Sequence, residues 1–381
     1  MKKKFISHLY SVLNKFFFNY KDQDIVFITD ENLSQQEFNL LIKQINWYLC
    51  GLKVFIYSKK YKNFSTSTIS CINSLPNEYL PVYTSYKQFF SFLGIKNKFN
   101  GLIVDKNFYL ASDAKTLRAM YFIFSSDKFK RKLLEISIAN YKKFSNMNRD
   151  PVSTCFLTGP SIEKFKDVPI AKNGFKIICN SIVKNTELLE YINGPDIVVF
   201  ADPVFHFSIN DYCVSFRRDL MNVFKKYKPY IGVPIQSMHI YLKNFPFLED
   251  YLIGFNISKK FSHPSPLNNL EAQATSNILT MLMLPLASSI SDEINIIGAD
   301  GRDPNEKYFW QHNSTTQYSD DMKSVFDMHP SFLNDYDIPK YYNDHIQFLE
   351  KQISFGENMN KKYYSLTHSY IPALKKRMKY F

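Results

Sequence analysis

The sequence predicts an α/β protein with a mostly parallel, Rossmann-like sheet, a smaller N-terminal α/β domain and a C-terminal helical lid. Short apolar runs alternate with stretches of helical periodicity along most of the chain. With 381 residues the chain is too long for one ordinary core, so two domains are expected. Several apolar runs in the second half end in small or polar residues, which is typical of parallel strands that border a ligand crevice.

Residues 1–112 are predicted to form the smaller α/β domain. Its predicted elements are helices at 5–20 and 34–50 and strands at 24–30, 53–57, 80–83 and 101–104. The first strand, the second helix and the next strand make a βαβ unit. This part of the sequence has no glycine-rich phosphate loop, so we expect a scaffold or partner-binding role.

Residues 113–150 are predicted to connect the two domains as a mostly helical segment. Apolar side chains recur at helical spacing from Ala114 to Asn146. The stretch Asn146–Pro151 is rich in residues that form turns, and it therefore marks the expected boundary.

Residues 151–381 are predicted to form the larger domain, in which strands alternate with helices. The strands are expected at 154–158, 175–179, 196–201, 230–234 and 293–298, and the helices at 185–192, 217–228, 270–287, 340–354 and 361–370. Such alternation is typical of a parallel sheet covered on both faces. The stretch 303–345 is largely polar, aromatic and irregular, and long segments of this kind are often functional lids.

The formal net charge of +12 favours anionic partners without choosing among them. Basic residues gather at both ends of the chain. Solvated tails are the plain interpretation, and contact with an acidic membrane surface is the alternative. Aromatic residues make up 17% of the chain, which we attribute to nucleotide bias in the genome because Lys, Asn and Ile are also abundant. Nucleic acid is therefore not an expected partner.

The five cysteines are odd in number and lie far apart, which favours a reducing compartment and argues against a zinc site. Polar residues interrupt the basic start, and no cleavage signal follows, so a secretory peptide is not expected. The longest apolar run, Ile278–Ile290, contains Pro285 and is shorter than the roughly 20 residues that span a bilayer. We expect a cytoplasmic protein, with peripheral contact with the inner membrane as an open alternative.

Small and polar residues follow the predicted strands of the larger domain. Gly159–Ser161 follow the first strand, where a glycine permits close backbone approach and a helix start offers amides to a phosphate or carboxylate. Asn180 ends the second strand, Asp202 the third, and Asp300 follows the last. Asn both donates and accepts hydrogen bonds, and Asp accepts from sugar hydroxyls or holds a metal. A turn or a cap is an equal interpretation of each residue taken alone.

These strand ends resemble the bacterial sialyltransferases of glycosyltransferase family 42. The likeness lies in Gly159-Pro160-Ser161, Asn180, Phe200–Pro203, the predicted helix start at Thr275-Ser276, and Gly298–Asp300. It covers roughly residues 152–350. The chain is also similar to the domain-of-unknown-function family number 115, which includes a pterin pyrophosphokinase and flagellin glycosyltransferases.

The resemblance implies an inverting, metal-independent glycosyltransferase with a variant of the GT-A fold. Such an enzyme transfers a sialic-acid-like, nonulosonic sugar from a CMP-activated donor to a glycan or lipid-linked glycan acceptor, as in surface polysaccharide biosynthesis. No cofactor is implied, since the CMP-sugar is a co-substrate.

By the same likeness, three groups of residues would contact the donor. Gly159, Pro160, Ser161 and Asn180 would bind cytidine and phosphate, with Asp202 where the family often has Asn; Thr275 and Ser276 would lie near the phosphate or the sugar carboxylate; and Gly298, Asp300 and Gly301 would line the base and ribose.

The family uses a late histidine as general base, and His329 is the candidate by position, with His312 as the second candidate. A histidine suits this role because its unperturbed pKa lies near about 6.5. Tyr341 and Tyr342 are candidates for binding the departing phosphate. Asp335–Asp337 match an Asp-x-Asp metal pattern, but the stretch is predicted to be a turn, so no metal site is expected.

Two other functions stay open at this point. One is a magnesium-dependent, pterin-type pyrophosphokinase that would use Asp202 and Asp300 as metal ligands. The other is a non-catalytic protein of glycan assembly that binds partners through its N-terminal domain.

Overall fold

The computed structural model describes residues 24–29, 32–76, 79–84, 102–103, 121–122, 125–261, 270–301, 316, 318 and 338–381. Contacts divide the chain into two compact units. The described residues up to Asp127 belong to the first unit, and those from Lys128 onward belong to the second. Each unit contains a parallel sheet, so the predicted α/β, Rossmann-like fold class is confirmed.

The first unit contains a five-stranded parallel sheet in the order β3-β2-β1-β4-β5. Its elements are β1 (Asp24–Ile28), the helix Gln35–Tyr48, β2 (Val54–Tyr57), β3 (Ile69–Ile72), β4 (Tyr79–Tyr83) and β5 (Leu102–Ile103). The helix begins as predicted because Ser34 and Glu37 form a capping box, with each side chain accepting from the other's backbone amide. The strand β3 was not predicted, and the predicted helix at 5–20 lies outside the described residues.

The second unit contains an eight-stranded sheet in the order β11-β10-β9-β8-β7-β6-β12-β13, with all neighbours parallel. Its strands are β6 (Asp150–Phe156), β7 (Gly174–Cys179), β8 (Ile197–Val199), β9 (Tyr230–Pro234), β10 (Leu252–Ser258), β11 (Glu271–Gln273), β12 (Glu293–Ile297) and β13 (Lys362–Ser365). All six residues of β7 and all three of β8 are buried, as expected for a sheet covered on both faces.

Helices connect these strands. The α-helices are Asp127–Ser145, Thr186–Tyr191, Pro203–His206, Asp211–Tyr227, Ile235–Asn244, Leu284–Ile290, Ile338–Glu357 and Pro372–Lys375; the 3-10 helices are Pro160–Lys166, Asn180–Lys184 and Pro246–Tyr251; and a π-helix covers Leu279–Met283. Within the described residues, the predicted strands and helices up to β9 are therefore confirmed, with shifted ends. The helix Ile235–Asn244 and the strand β10 were not predicted.

One predicted helix is wrong, and another begins later than predicted. Residues 361–370 hold β13 and a non-helical segment, because aromatic and hydroxyl side chains alternate here between buried and exposed positions and the chain pairs with β12. Residues 270–287 begin with the strand β11, which pairs with β10, and the helical part starts only at Ile278. In both stretches, pairing with another strand prevailed over the local pattern.

The helix Asp127–Ser145 packs on β10 through buried polar groups. Asn140 donates from Nδ2 to the backbone oxygens of Glu249 at 2.7 Å and Leu252 at 2.9 Å. Ser137 Oγ accepts from the amide of Gly254 at 2.8 Å. The helix that the sequence predicts as a connector is thus bonded to the sheet of the second unit.

Replacing Asn140 should destabilise the second unit. Asn140→Ala removes both donors and leaves two carbonyl groups without these partners, at a cost of about 2 kcal/mol. Urea unfolding measures this loss. Lys142→Ala on the exposed face of the same helix is the control and should change the free energy of unfolding by less than about 0.5 kcal/mol. Equal effects of the two substitutions would contradict the described packing.

Candidate functional site

The strand order of the larger sheet reverses between β6 and β12. The strands β7 to β11 extend the sheet on one side of β6, whereas β12 and β13 lie on the other side. In open parallel sheets, ligands bind beyond the carboxyl ends of the strands at such a reversal. The loops that follow β6 and β12 are therefore the centre of the candidate site.

These two loops are bonded to each other through their backbones. The amide of Gly159 donates to the oxygen of Gly298 at 2.9 Å. A Cβ on Gly159 would lie 2.1 Å from Oδ2 of Asp300 and 2.5 Å from the oxygen of Gly298. Gly298 itself has a φ of +77°, which favours glycine. Both glycines are thus required by the close approach of the loops.

Asp300 closes the junction from the other loop. Its carboxylate accepts from the amide of Ser161 at 3.1 and 3.2 Å, just after Pro160 begins the 3-10 helix Pro160–Lys166. Burial raises the pKa of Asp300, while hydrogen bonds from Ser161 and the charge of His368 act in the opposite direction. The amide predicted to meet a phosphate is therefore already bonded to a carboxylate of the protein.

A third segment, Leu366–Ile371, follows β13 and joins the same junction. Thr367 Oγ1 accepts from Ser161 Oγ at 2.8 Å and from the amide of Gly298 at 3.3 Å. Ser369 Oγ donates to the oxygen of Ala299 at 2.6 Å. The two buried hydroxyl groups of the segment thus bond to both loops.

The side chains that follow each of these hydroxyl residues point outward. His368 and Tyr370 are exposed, whereas Thr367 and Ser369 are buried. The two outer rings meet edge to face with centroids 4.8 Å apart. The amide of Tyr370 donates to the backbone oxygen of Asp300 at 2.7 Å, which fixes this pair beside the β12 loop. We did not identify this segment from the sequence, although its alternation of residue types is the signal that could have revealed it.

The helix Ile338–Glu357 contributes two predicted tyrosines. The hydroxyl oxygen of Tyr342 lies 3.1 Å from the position that a Cβ on Gly301 would take, so it borders the β12 loop. Tyr341 donates from its hydroxyl to the backbone oxygen of Ser276 at 2.7 Å. The tyrosine pair therefore connects the junction to the start of the helical segment that follows β11.

That helical segment starts with local hydrogen bonds. Thr275 Oγ1 donates to the oxygen of Asn277 at 3.1 Å and accepts from Thr280 Oγ1 at 2.9 Å. Asn277 Oδ1 caps the amide of Leu279 at 2.9 Å. Thr275 and Ser276 thus form a cluster with Tyr341, separate from the bonded junction of β6 and β12.

Asn180 lies at the carboxyl end of β7, the strand next to β6. Its φ is +47°, a left-handed conformation that asparagine tolerates better than most residues. Its Oδ1 is buried and has no hydrogen-bond partner among the described residues, and the same is true of Oγ in the neighbouring Ser181. Strained backbone and unpaired buried polar atoms gather at functional sites.

Asp202, at the end of β8, acts as a helix cap. Its Oδ1 accepts from the amides of Val204 and Phe205, both at 2.8 Å. Its own amide donates to Nδ1 of His206 at 3.1 Å. The strand β8 lies two places from β6 in the sheet, so Asp202 is not part of the bonded junction.

Of the predicted residues, the structure brings together Gly159, Pro160, Ser161, Gly298, Asp300, Gly301 and Tyr342. His312, His329 and Asp335–Asp337 lie outside the described residues. One described residue of the predicted lid, Tyr318, donates to Asp219 Oδ2 at 2.8 Å, and Lys184 Nζ lies 5.1 Å from the centre of its ring. This point of the predicted lid lies beside the 3-10 helix that begins at Asn180.

Comparison with known proteins adds little. No family model matches the chain, and no curated protein matches it. A solved structure of the MAf glycosyltransferase from Magnetospirillum magneticum AMB-1 is similar at 10% identity, with a TM-score of 0.28, over 79% of this chain and 57% of that one. The chain thus spans a little over half of that protein's length, and a likeness this weak carries no conclusion about function.

The buried His206 beside Asp202 should make stability depend on pH. Its ring packs on Phe200 and Phe216, and burial lowers its pKa to about 4. The unfolded chain, with a histidine pKa of about 6.5, therefore binds a proton that the folded chain excludes between these values. The stability of the fold is therefore highest above about pH 6.5, where the ring is neutral in both states. It falls as the pH drops toward 4, because the unfolded chain takes up the proton first.

The expected loss from His206 at pH 4.5 is about 2 to 3 kcal/mol. His206→Asn keeps an acceptor for the Asp202 amide but does not titrate. Urea unfolding at pH 7 and pH 4.5 should therefore show a smaller drop for this variant than for the wild type. The same drop in both proteins would show that His206 is not held neutral by burial.

Proposed function

We propose that the chain is a glycosyltransferase that moves a nonulosonic sugar from a CMP-activated donor to a glycan or lipid-linked glycan acceptor with inversion. The proposal combines the motif resemblance with the position of the motif residues in the fold. Gly159–Ser161 and Gly298–Gly301 meet at the reversal of strand order, where parallel sheets bind nucleotides and related ligands. The resemblance would assign the donor to this edge.

The observation that carries the proposal is the state of Asn180. Its side-chain oxygen is buried without a partner among the described residues, and its backbone is left-handed at the end of a strand. Both features cost free energy in the protein alone, and a polar ligand at this edge would offset the first. A nucleobase or ribose supplies the hydrogen-bond donor that Oδ1 of Asn180 lacks.

In the proposed step, the acceptor hydroxyl oxygen bonds to the anomeric carbon while the bond from that carbon to a phosphate oxygen of CMP breaks. CMP leaves with the electron pair, and the hydroxyl proton passes to a general base. The resemblance gives this role to His329 or His312. Tyr341 can assist the departing phosphate only if its hydroxyl exchanges its bond to Ser276, whereas Tyr342 stands beside Gly301.

Strand spacing disfavours the pyrophosphokinase alternative. Asp202 and Asp300 follow β8 and β12, which are three places apart in the sheet. With about 4.8 Å between neighbouring strands, the strand ends are about 14 Å apart, whereas Mg²⁺ holds its ligands at about 2.1 Å. Both carboxylates also accept from backbone amides. The two residues are poorly placed to share one ion.

The proposal includes work at a membrane surface if the acceptor is lipid-linked. Among the described residues, no helix is long and apolar enough to cross a membrane. Lys375 and Lys376 are exposed near the end of the chain, and exposed basic residues attract anionic lipids. Contact through these residues is part of the proposal.

A thermal-shift panel with CMP, CDP, UDP and GDP tests the donor class. Cytidine nucleotides should raise the melting temperature of the wild type, because a ligand at 100 times its Kd adds about 2.7 kcal/mol to the free energy of unfolding. Failure of every cytidine nucleotide to stabilise the protein would rule out the CMP donor.

A separate assay tests the pyrophosphokinase alternative, which requires magnesium. Nucleotide turnover that persists in EDTA would count against it.

Asn180→Gly separates binding from folding. Glycine accepts the left-handed backbone without strain, so the free variant should be nearly as stable as the wild type or slightly more stable. Its stabilisation by CMP should be much smaller because the side chain is gone. Asn193→Gly, which replaces another left-handed asparagine with a φ of +55°, is the matched control and should keep the full CMP shift. Equal CMP shifts in the two variants would contradict a contact between Asn180 and the donor.

A further inference from the structure

The segment after β13 presents one histidine at the junction of the candidate site. We infer that His368 is the general base that takes the proton from the acceptor hydroxyl. This inference rests on the proposed function and gives His368 the role that the resemblance assigns to His329 or His312. It follows from the way in which the segment is held and from the exposure of the His368 ring.

The segment holds His368 from both sides. The preceding Thr367 bonds to Ser161 and Gly298, and the following Ser369 bonds to Ala299. His368 therefore sits between two anchored residues, which are tied to the loops after β6 and β12. A base fixed in this manner loses little freedom when it acts.

The exposure of the ring suits a base that works on an acceptor. His368 is exposed, whereas the other described histidines of the second unit, His206, His239 and His345, are buried. A glycan acceptor approaches from solvent, so its hydroxyl can reach an outward-facing imidazole. A buried imidazole has no such access.

The segment is bonded to Asp300, whose carboxylate already occupies the amide of Ser161. The amide of Tyr370 donates to the backbone oxygen of Asp300 at 2.7 Å, and the Asp300 carboxylate accepts from the amide of Ser161 at 3.1 Å. A phosphate beside His368 would lack the Ser161 amide as a hydrogen-bond donor, so this face of the junction suits the acceptor better than the donor phosphate. The edge-to-face contact with Tyr370 limits the rotation of the ring.

The step balances without a further reactant. The acceptor O–H bond breaks, its proton goes to an imidazole nitrogen of His368, and the oxygen forms the new bond to the anomeric carbon. The bond to the CMP phosphate oxygen breaks, and CMP carries away the electron pair. Solvent then removes the proton from His368, which its exposure permits.

Chemical rescue is the direct test. Release of CMP from CMP-N-acetylneuraminic acid with lactose as acceptor should fall by about 10²- to 10⁴-fold in His368→Ala and in His368→Gln. Added imidazole should restore part of the rate to His368→Ala, because removal of the exposed ring leaves space open to solvent. Both variants should keep the melting temperature and the CMP shift of the wild type.

Lys362→Ala, an exposed change at the amino end of β13, is the matched control and should keep the wild-type rate. An active wild type with an equally active His368→Ala would overturn this inference and leave the proposed function standing. Rescue by imidazole of His329→Ala but not of His368→Ala would also overturn it. A wild type that neither binds CMP nor releases it from this donor would overturn both.

Discussion

The candidate site depends on the close approach of the loops that follow β6 and β12. A single backbone bond joins Gly159 to Gly298, and the space between the loops has no room for a Cβ on Gly159. The carboxylate of Asp300 then fills the position in front of the Ser161 amide. Because these two residues are 139 positions apart, their contact forms only when β6 and β12 are neighbours in the sheet.

The same constraint explains the role of the last strand. β13 pairs with β12, and this pairing brings the following segment to the two loops, where Thr367 and Ser369 bond to them. The outer residues of the segment, His368 and Tyr370, then face solvent beside Asp300. Three stretches that are distant in the sequence therefore form one surface at the reversal of strand order, which gives the site its combination of hydroxyl, carboxyl and imidazole groups.

The part of the fold that continuous apolar runs encode was predictable from the sequence, and so were the strand ends. β7 and β8 are buried on both faces, so their composition alone identified them and placed Asn180 at a strand end. β13 is a short, partly exposed edge strand whose sequence also fits a helix. Only its pairing with β12 determines that it forms a strand. The occupied amide of Ser161 and the unpaired oxygen of Asn180 likewise result from neighbours that come together in three dimensions. Asp202 is a helix cap, which was one of its two interpretations.

The central claim is that this chain binds a cytidine nucleotide along the carboxyl edge of its larger sheet. A crystal structure with CMP tests it most directly. We expect CMP at the ends of β6, β7 and β12, with a hydrogen bond to the side chain of Asn180 and with His368 left open toward solvent. CMP bound elsewhere on the protein, or at this edge without contact to Asn180, would contradict the claim.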